Sequence, residues 1–186
     1  MTKGQGFVFE DGGDMKAHEF FLYSLVRGVR PECILEIGVR SGVSTFAMTQ
    51  ALVDGKINYR EYIACDIDPA CKELQLPVPV KFEIMPSDEL ASIWYHKYND
   101  ISILLIDGLH EISQVRRDFY HFYPFVKRNG YILFHDTYPP TEDDKNPGAC
   151  WDAYKIISDL NNYVMLHEIE YVTLAYSYGL TVCRKL

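Results

Sequence analysis

Acidic and imidazole side chains recur in this sequence directly after short apolar runs. Asp66, Asp107 and Asp136 each follow such a run, and His110 and His135 lie close to the last two acids. Two carboxylates can hold a hard divalent cation, which lowers the pKa of a bound hydroxyl. An imidazole can instead take a proton as a general base near neutral pH. Asp107, His110 and His135 are therefore candidate catalytic residues for activating an oxygen.

A glycine-containing loop follows the first apolar run. Gly38 and Gly42 let its backbone turn tightly and approach a ligand closely. A dinucleotide fingerprint needs the pattern G-x-G-x-x-G, and Arg40 and Val43 stand where its second and third glycines would be. The sequence has no phosphate-cradling G-x-x-x-x-G-K-[ST] pattern either. The loop therefore predicts a ligand that does not press a pyrophosphate against this turn.

Short apolar runs alternate along the chain with apolar residues at helical spacing. The runs predict buried strands at residues 33–37, 61–65, 80–84, 101–106 and 131–134. The helical spacing predicts helices at residues 15–29, 44–53, 87–96, 112–126 and 151–160. Two alternating apolar segments, 164–175 and 180–183, predict a closing antiparallel pair. Ser41 or Ser44 is placed to cap the second helix, and Asn129-Gly130 to end the fourth.

The order of these elements predicts an α/β fold with three layers. A doubly wound, mostly parallel sheet is expected between two layers of helices. Ligands bind such sheets outside the carboxyl ends of the strands, where the strand order reverses. If the first and fourth strands flank the reversal, Gly38, Asp107 and Asp136 converge on one crevice. Asp66, at the end of the second strand, is placed to accept hydrogen bonds from a ribose diol.

The composition indicates a globular protein with an acidic surface. The 186 residues are 48% apolar and carry a formal net charge of -8. We expect a single domain over residues 1–186, with residues 1–13 forming a loose arm. The acidic balance argues against a nucleic-acid partner, because it repels a phosphate backbone. The cysteines lack metal-ligand spacing and no apolar run is long enough to span a membrane, so we expect a reduced, cytoplasmic protein.

The glycine loop resembles the first motif of the class I S-adenosylmethionine-dependent methyltransferases. Glu36-Ile37-Gly38 with Gly42 has the G-x-x-x-G form seen in catechol-type O-methyltransferases. The resemblance implies that Glu36, Gly38 and Gly42 hold the methionine part of the cofactor, S-adenosylmethionine. Ser41 of the same loop joins these candidates. The family also implies a Rossmann-like, seven-stranded sheet with the last strand inserted antiparallel.

The resemblance extends to the other strand ends. Asp66 matches the ribose-binding acid of the family, and Ser87-Asp88 resembles the segment that lies beside the adenine. Asp107 is a further candidate cofactor-binding residue. A narrower likeness, to bacterial macrocin-type sugar O-methyltransferases and cephalosporin-hydroxylase-like proteins, is carried by residues 106–110, Asp118 and residues 129–136.

Metal-dependent relatives bind Mg²⁺ through the acids after the fourth and fifth strands. The resemblance thus implies Asp107 and Asp136 as ligands of Mg²⁺ or Mn²⁺. This sequence departs from the relatives at two positions. Thr137 replaces the amide of the catechol-type enzymes, and His135 stands where the sugar-modifying group usually has an acid. Metal-assisted chemistry and an imidazole base both stay open.

The resemblance implies methyl transfer to an oxygen of a small molecule or sugar. Two alternatives are a nicotinamide-dependent oxidoreductase and a non-catalytic cofactor-binding module. The segment from Pro139 to Cys150 is the best candidate for a mobile lid, and Tyr138, Trp151 and Tyr154 for an aromatic wall. Because little sequence is left to shape an acceptor pocket, we expect the N-terminal arm or a neighbouring subunit of a homo-oligomer to contribute to it.

Overall fold

Seven strands form one sheet in the computed structural model, which describes residues 14–98, 100–138 and 152–186. The strands are β1 (Cys33–Ile37), β2 (Glu61–Asp66), β3 (Lys81–Ile84), β4 (Ile101–Ile106), β5 (Val126–His135), β6 (Ile169–Leu174) and β7 (Leu180–Lys185). The helices are α1 (Glu19–Val29), α2 (Val43–Asp54), α3 (Ser87–Lys97), α4 (Ile112–Phe122) and α5 (Ile156–Met165). Short 3₁₀ helices cover Asp14–His18, Pro69–Glu73, Tyr123–Phe125 and Ala153–Lys155.

The strand order is β3-β2-β1-β4-β5-β7-β6. Strands β1 to β5 pair in parallel, whereas β7 runs antiparallel to both β5 and β6. The order reverses between β1 and β4, where the chain first crosses back over the sheet. The predicted doubly wound sheet with an antiparallel last strand is confirmed.

Each face of the sheet is covered by its own group of helices. Leu35 and Leu104 point to the face where α3, α4 and α5 contribute side chains such as Trp94, Phe119 and Leu160. Side chains of the other parity, including Ile34 and Leu105, pack against α1 and α2. The central strands are fully buried because helices cover both faces, which explains their continuous apolar runs.

Two local predictions were wrong. Neither Ser41 nor Ser44 caps α2, because the N-cap residue is Gly42 and it makes no side-chain cap hydrogen bond. Asn129-Gly130 does not end α4, which stops at Phe122. The pair lies inside β5, where the pairing register with β4 shifts and Asn129 adopts a φ of 61°. Pairing with a distant strand therefore overrode a local helix-stop signal.

Three predicted features fall outside the described residues. These are the arm at residues 1–13, the lid segment from Pro139 to Cys150, and Trp151 of the aromatic wall. Among the residues that are described, no helix is both long and apolar enough to cross a bilayer.

Candidate active site

A cavity of about 480 Å³ opens at the carboxyl ends of β1 to β4. It lies at the reversal of strand order, as the arrangement of polar residues predicts. Of the candidate site residues, the ones that line it are Gly38, Ser41, Asp66, Ser87, Asp88, Asp107 and His110. The candidates that do not line it are Glu36, Gly42, His135 and Asp136.

A glycine is needed at position 38 because the loops after β1 and β4 approach each other closely there. Its φ of 87° lies in the left-handed region, and a Cβ there would overlap the backbone carbonyl of Asp107. Its amide donates to the carbonyl of Cys65 at 2.9 Å. Gly42 also has a positive φ, of 77°, but its Cβ would meet only the side chain of Leu74. Gly38 therefore fixes the floor of the cavity where the loops after β1 and β4 meet.

Asp66 holds the glycine loop against the end of β2. One carboxylate oxygen accepts the backbone amides of Val39 at 2.7 Å and Arg40 at 3.0 Å. The other accepts the amide of Asp68 at 2.9 Å. Partial burial opposes ionisation, but these amide hydrogen bonds prevail and lower the pKa of Asp66. The carboxylate thus anchors the loop while it also lines the cavity.

Glu36 supports the loop from inside rather than facing a ligand. Its carboxylate is fully buried and accepts hydrogen bonds from Ser44, from Thr45 at 2.8 Å and from Tyr62 at 2.7 Å. Burial raises the pKa of Glu36 to about 7, although the three hydroxyl donors oppose the rise. Glu36 does not line the cavity, whereas its hydrogen-bond partner Ser44 does. The expected contact between Glu36 and the methionine part of the cofactor stays a prediction.

Two acids and two imidazoles meet at the end of the cavity beside β4 and β5. Nε2 of His110 lies 3.4 Å from Oδ1 of Asp107, and its Nδ1 lies 3.1 Å from Oδ2 of Asp136. Nδ1 of His135 lies 2.8 Å from the same Asp136 oxygen and 3.2 Å from Oδ1 of Asp107. Asp107 and His110 face the cavity, while Asp136 and His135 form the layer behind them.

The charges in this cluster stabilise one another. Burial alone would raise the pKa of Asp107, but the imidazoles of His135 and His110 lower it. Burial would likewise lower the pKa values of both histidines, yet their acidic partners raise them, that of His135 to about 10. Asp107 and Asp136 therefore favour the protonated form of His135. Its ring is buried and does not line the cavity, so its expected role as a general base has no support in this geometry and stays a prediction.

The backbone at Asp136 turns its carboxylate into this cluster. Asp136 adopts a φ of 55°, which few residues other than Gly, Asn and Asp accept. Its Oδ1 is buried and has no hydrogen-bond partner among the described residues. Thr137, by contrast, is occupied elsewhere, because its hydroxyl accepts a hydrogen bond from Thr181 at 2.8 Å. The ligand position that an amide fills in catechol-type relatives is thus not supplied by residue 137.

Three of these side chains form a group suited to a metal ion. Asp107, His110 and Asp136 each offer one ligand atom, and these atoms lie within 4.8 Å of one another. The predicted pair of acids is thereby extended by His110. The added imidazole nitrogen favours Mn²⁺ or another transition metal over Mg²⁺, which prefers oxygen ligands alone.

The opposite end of the cavity contains a second polar group. Ser87 begins α3, and its hydroxyl donates to Oδ1 of Asp118 on α4 at 2.6 Å. Gln114, one turn earlier on α4, donates to the same oxygen at 2.9 Å and to the Ser87 hydroxyl at 3.1 Å. Asp88 lies at the rim and pairs with Arg117 at 3.4 Å and with His121 at 3.5 Å.

Gln114, Asp118 and Met85 also line the cavity, and the sequence did not single them out as site residues. In the sequence, Asp118 is noted only for the likeness to sugar O-methyltransferases and cephalosporin-hydroxylase-like proteins. The spacing of Gln114 and Asp118, four residues apart on a helix, places them on one face and is the signal that could have found them. Met85 follows β3 without a distinguishing pattern.

Comparison with known proteins links the chain to a described family. A family described as a methyltransferase domain matches residues 35–137, from β1 to the residue after Asp136. No curated protein sequence matches the chain significantly.

Several solved structures share the fold at low sequence identity. An O-methyltransferase from Bacillus cereus, in complex with S-adenosylhomocysteine, has a TM-score of 0.69 at 14% identity, covering 98% of this chain and 84% of that one. An S-adenosylhomocysteine-bound methyltransferase from Podospora anserina has a TM-score of 0.67 at 18% identity, covering 91% and 78%. The O-methyltransferase TomG from Streptomyces achromogenes, involved in tomaymycin synthesis and solved with S-adenosylmethionine, has a TM-score of 0.64 at 11% identity, covering 97% and 92%.

The family match covers more than half of the chain and includes the glycine loop, Asp66, Ser87 and the Asp107–Asp136 cluster. It favours methyl transfer over the nicotinamide-dependent alternative, in agreement with the missing glycines of a dinucleotide fingerprint. The chain belongs to the methyltransferase-domain family and is a class I S-adenosylmethionine-dependent methyltransferase.

Proposed function

We propose that this protein transfers the methyl group of S-adenosylmethionine to a hydroxyl oxygen of a small molecule or sugar. The observation that carries the proposal is a single cavity with a glycine turn in its middle and an acid–imidazole cluster at one end. The glycine turn suits the cofactor, and the cluster suits deprotonation of an acceptor. The O-methyltransferases of similar fold from Bacillus cereus and Streptomyces achromogenes support oxygen as the acceptor atom.

The cofactor is proposed to lie along the rim of the sheet from β4 to β3. Its methionine part lies over Gly38 and Ser41, its ribose beside Asp66, and its adenine near Ser87 and Asp88. This direction puts the sulfonium methyl next to Asp107 and His110, because these residues lie beyond Gly38 at the far end of the cavity. The sulfonium is already a strong electrophile, so the protein mainly has to align the acceptor oxygen and exclude water.

His110 is the proposed proton acceptor, because it is the imidazole of the cluster that reaches the cavity. Nδ1 of His110 donates to Oδ2 of Asp136 at 3.1 Å, which leaves Nε2, 3.4 Å from Asp107, to take the hydroxyl proton. The two carboxylates then stabilise the imidazolium that forms. Asp136 and His135 act as positioning residues from behind. Both of these positioning residues are buried, so their geometry stays fixed while the acceptor binds.

The same residues fit a divalent cation, which would activate the hydroxyl in place of His110 acting as the proton acceptor. Asp107, His110 and Asp136 would hold it. Oδ1 of Asp136 is buried without a hydrogen-bond partner among the described residues, and such an ion would remove the free-energy cost of burying it. When bound, the cation would lower the pKa of an acceptor hydroxyl.

Methyl transfer from labelled S-adenosylmethionine to a panel of hydroxyl-bearing acceptors tests the function. His110→Gln should lower kcat by about 100-fold or more, since it removes the proton acceptor. His96→Gln is the matched control, because His96 is exposed on α3 and does not line the cavity. Equal rates in both variants would contradict the role of His110, and transfer only to nitrogen or sulfur acceptors would contradict O-methylation.

Calorimetric titration with Mn²⁺ and Mg²⁺ tests the cation site. We expect Mn²⁺ to bind the wild-type protein more tightly than Mg²⁺, and Asp136→Ala to abolish this binding. Asp54→Ala removes an exposed acid of α2 outside the cavity and should leave it unchanged. Equal Mn²⁺ binding in all three proteins would contradict the site.

A further inference from the structure

Asp118 carries a buried carboxylate oxygen that no other described residue uses. The residue is 1% exposed and lines the cavity at the end opposite His110. Both Ser87 and Gln114 donate to its Oδ1. Its Oδ2 has no hydrogen-bond partner among the described residues. A buried carboxylate oxygen without a donor costs free energy, so a donor supplied by a ligand would relieve a deficit built into the fold.

The hydrogen-bond network determines which carboxylate oxygen of Asp118 lacks a donor among the described residues. The Gln114 amide donates to both Ser87 and Asp118, and the Ser87 hydroxyl uses its proton on Asp118. The donors of Ser87 and Gln114 are thus directed at Oδ1 of Asp118 and not at Oδ2. Burial raises the pKa of Asp118, and the donors Ser87 and Gln114 only partly offset this rise.

The surroundings of Asp118 suit a flat aminopurine. Cys65, Ile67, Met85 and Pro86 give this end of the cavity an apolar lining. The backbone amides of Ser87 and Asp88, the first two of α3, have no acceptor within the helix, and Pro86 at the N-cap makes no side-chain cap hydrogen bond. An amide donor beside a carboxylate acceptor is complementary to a ring nitrogen beside an exocyclic amine, as in adenine.

We propose that Asp118 recognises the adenine of the cofactor by accepting a hydrogen bond from its exocyclic amine through Oδ2. This inference rests on the proposed placement of the cofactor, and it adds a specificity residue on α4 to the strand-end segment at Ser87-Asp88. A carbonyl in place of the amine would face the carboxylate oxygen and be repelled. Asp118 therefore excludes hypoxanthine and other 6-oxopurines from the site.

Binding of two ligands to three full-length proteins tests the proposal. The ligands are S-adenosylhomocysteine and S-inosylhomocysteine, in which a carbonyl replaces the amine. Wild-type protein should bind the adenosine compound about 100-fold or more tightly than the inosine compound, as sites with a buried polar partner do. In Asp118→Asn the donors Ser87 and Gln114 keep the amide oxygen at the Oδ1 position, so the new NH₂ group faces the ligand. The preference should then shrink by about 10-fold or reverse.

Asp159→Asn is the matched control. Asp159 on α5 pairs with Arg116 of α4 at 2.6 Å, outside the cavity, so this variant disturbs the same helix without changing the polar group at Oδ2. Its ligand preference should equal that of the wild type. If Asp118→Asn does not fold, Asp118→Ser keeps a hydroxyl beside Ser87, and the same loss of preference is expected.

The outcomes separate this inference from the proposed function. Equal binding of both ligands by the wild type, or a preference unchanged in the Asp118 variants, would overturn the role of Asp118 and leave the cofactor site intact. Failure of the wild type to bind S-adenosylhomocysteine at all would overturn the proposed cofactor placement as well.

Discussion

Individual residues of the site divide into those that face the cavity and those that hold them in place. His110 and Asp107 belong to the first group, and Glu36, His135 and Asp136 to the second. The sequence identified the residue types at the strand ends, because a polar residue after a buried strand is a local signal. It did not show which of the two imidazoles lines the cavity, since that depends on the backbone turn at Asp136 and on the packing of His135.

Glu36 should make stability depend on pH. Its folded pKa of about 7 lies above its ordinary value of 4.5, so the folded state binds a proton more tightly than the unfolded state. This contribution to stability is present below pH 4.5 and is lost as the pH rises to about 7, by an amount on the order of 3 kcal/mol. Urea unfolding at pH 5 and pH 8 should show this fall in the wild type and a smaller one in Glu36→Gln. Parallel pH profiles would count against the raised pKa.

Alanine substitution should distinguish the two loop glycines. Gly38→Ala is expected to destabilise the fold by roughly 3 kcal/mol or more, because its Cβ meets the backbone of Asp107 in addition to the strain of positive φ. Gly42→Ala should cost only about 1 kcal/mol, since the Leu74 side chain can move. Chemical unfolding of both variants measures the difference. Equal losses would mean that the contact with Asp107 is not what requires a glycine at 38.

At the scale of elements, the loop after β1 is predicted to depend on Asp66. Asp66→Ala removes the acceptor of the Val39 and Arg40 amides, so their hydrogen exchange should accelerate about tenfold or more. Binding of S-adenosylhomocysteine should weaken in parallel. Asp68→Ala removes a similar carboxylate that accepts the amide of Ala70 outside the cavity, and it serves as the control. Unchanged exchange at Val39 and Arg40 in Asp66→Ala would contradict the anchoring role.

The elements themselves were largely predictable, because buried strands and amphipathic helices carry local patterns. β1 and β4 match their predicted ranges fully, and the alternation of strands and helices determined the layered fold. The errors arose where a distant partner decided the outcome. Ser44 binds Glu36 instead of capping its helix, and Val126 pairs with Ile101 and so starts β5 before Asn129. Such pairings have no signature within a short window of sequence.

For the molecule as a whole, ligand-linked stability separates the methyltransferase from an oxidoreductase on a similar sheet. A ligand present at 100 times its Kd stabilises the folded state by roughly 3 kcal/mol, which raises Tm by about 5–10 °C for a domain of this size. S-adenosylhomocysteine should produce this shift, and NADH should produce none. A shift with NADH alone would favour the nicotinamide-dependent alternative.

We propose that one cavity at the carboxyl ends of β1 to β4 holds the cofactor with its sulfur beside the acid–imidazole cluster. A crystal structure of the protein with S-adenosylhomocysteine measures this directly. We expect the sulfur next to Gly38 and Asp107, with the adenine amine at Oδ2 of Asp118. Density for the ligand in the reverse orientation, or in another groove such as the one between Gly28 and Lys127, would contradict it.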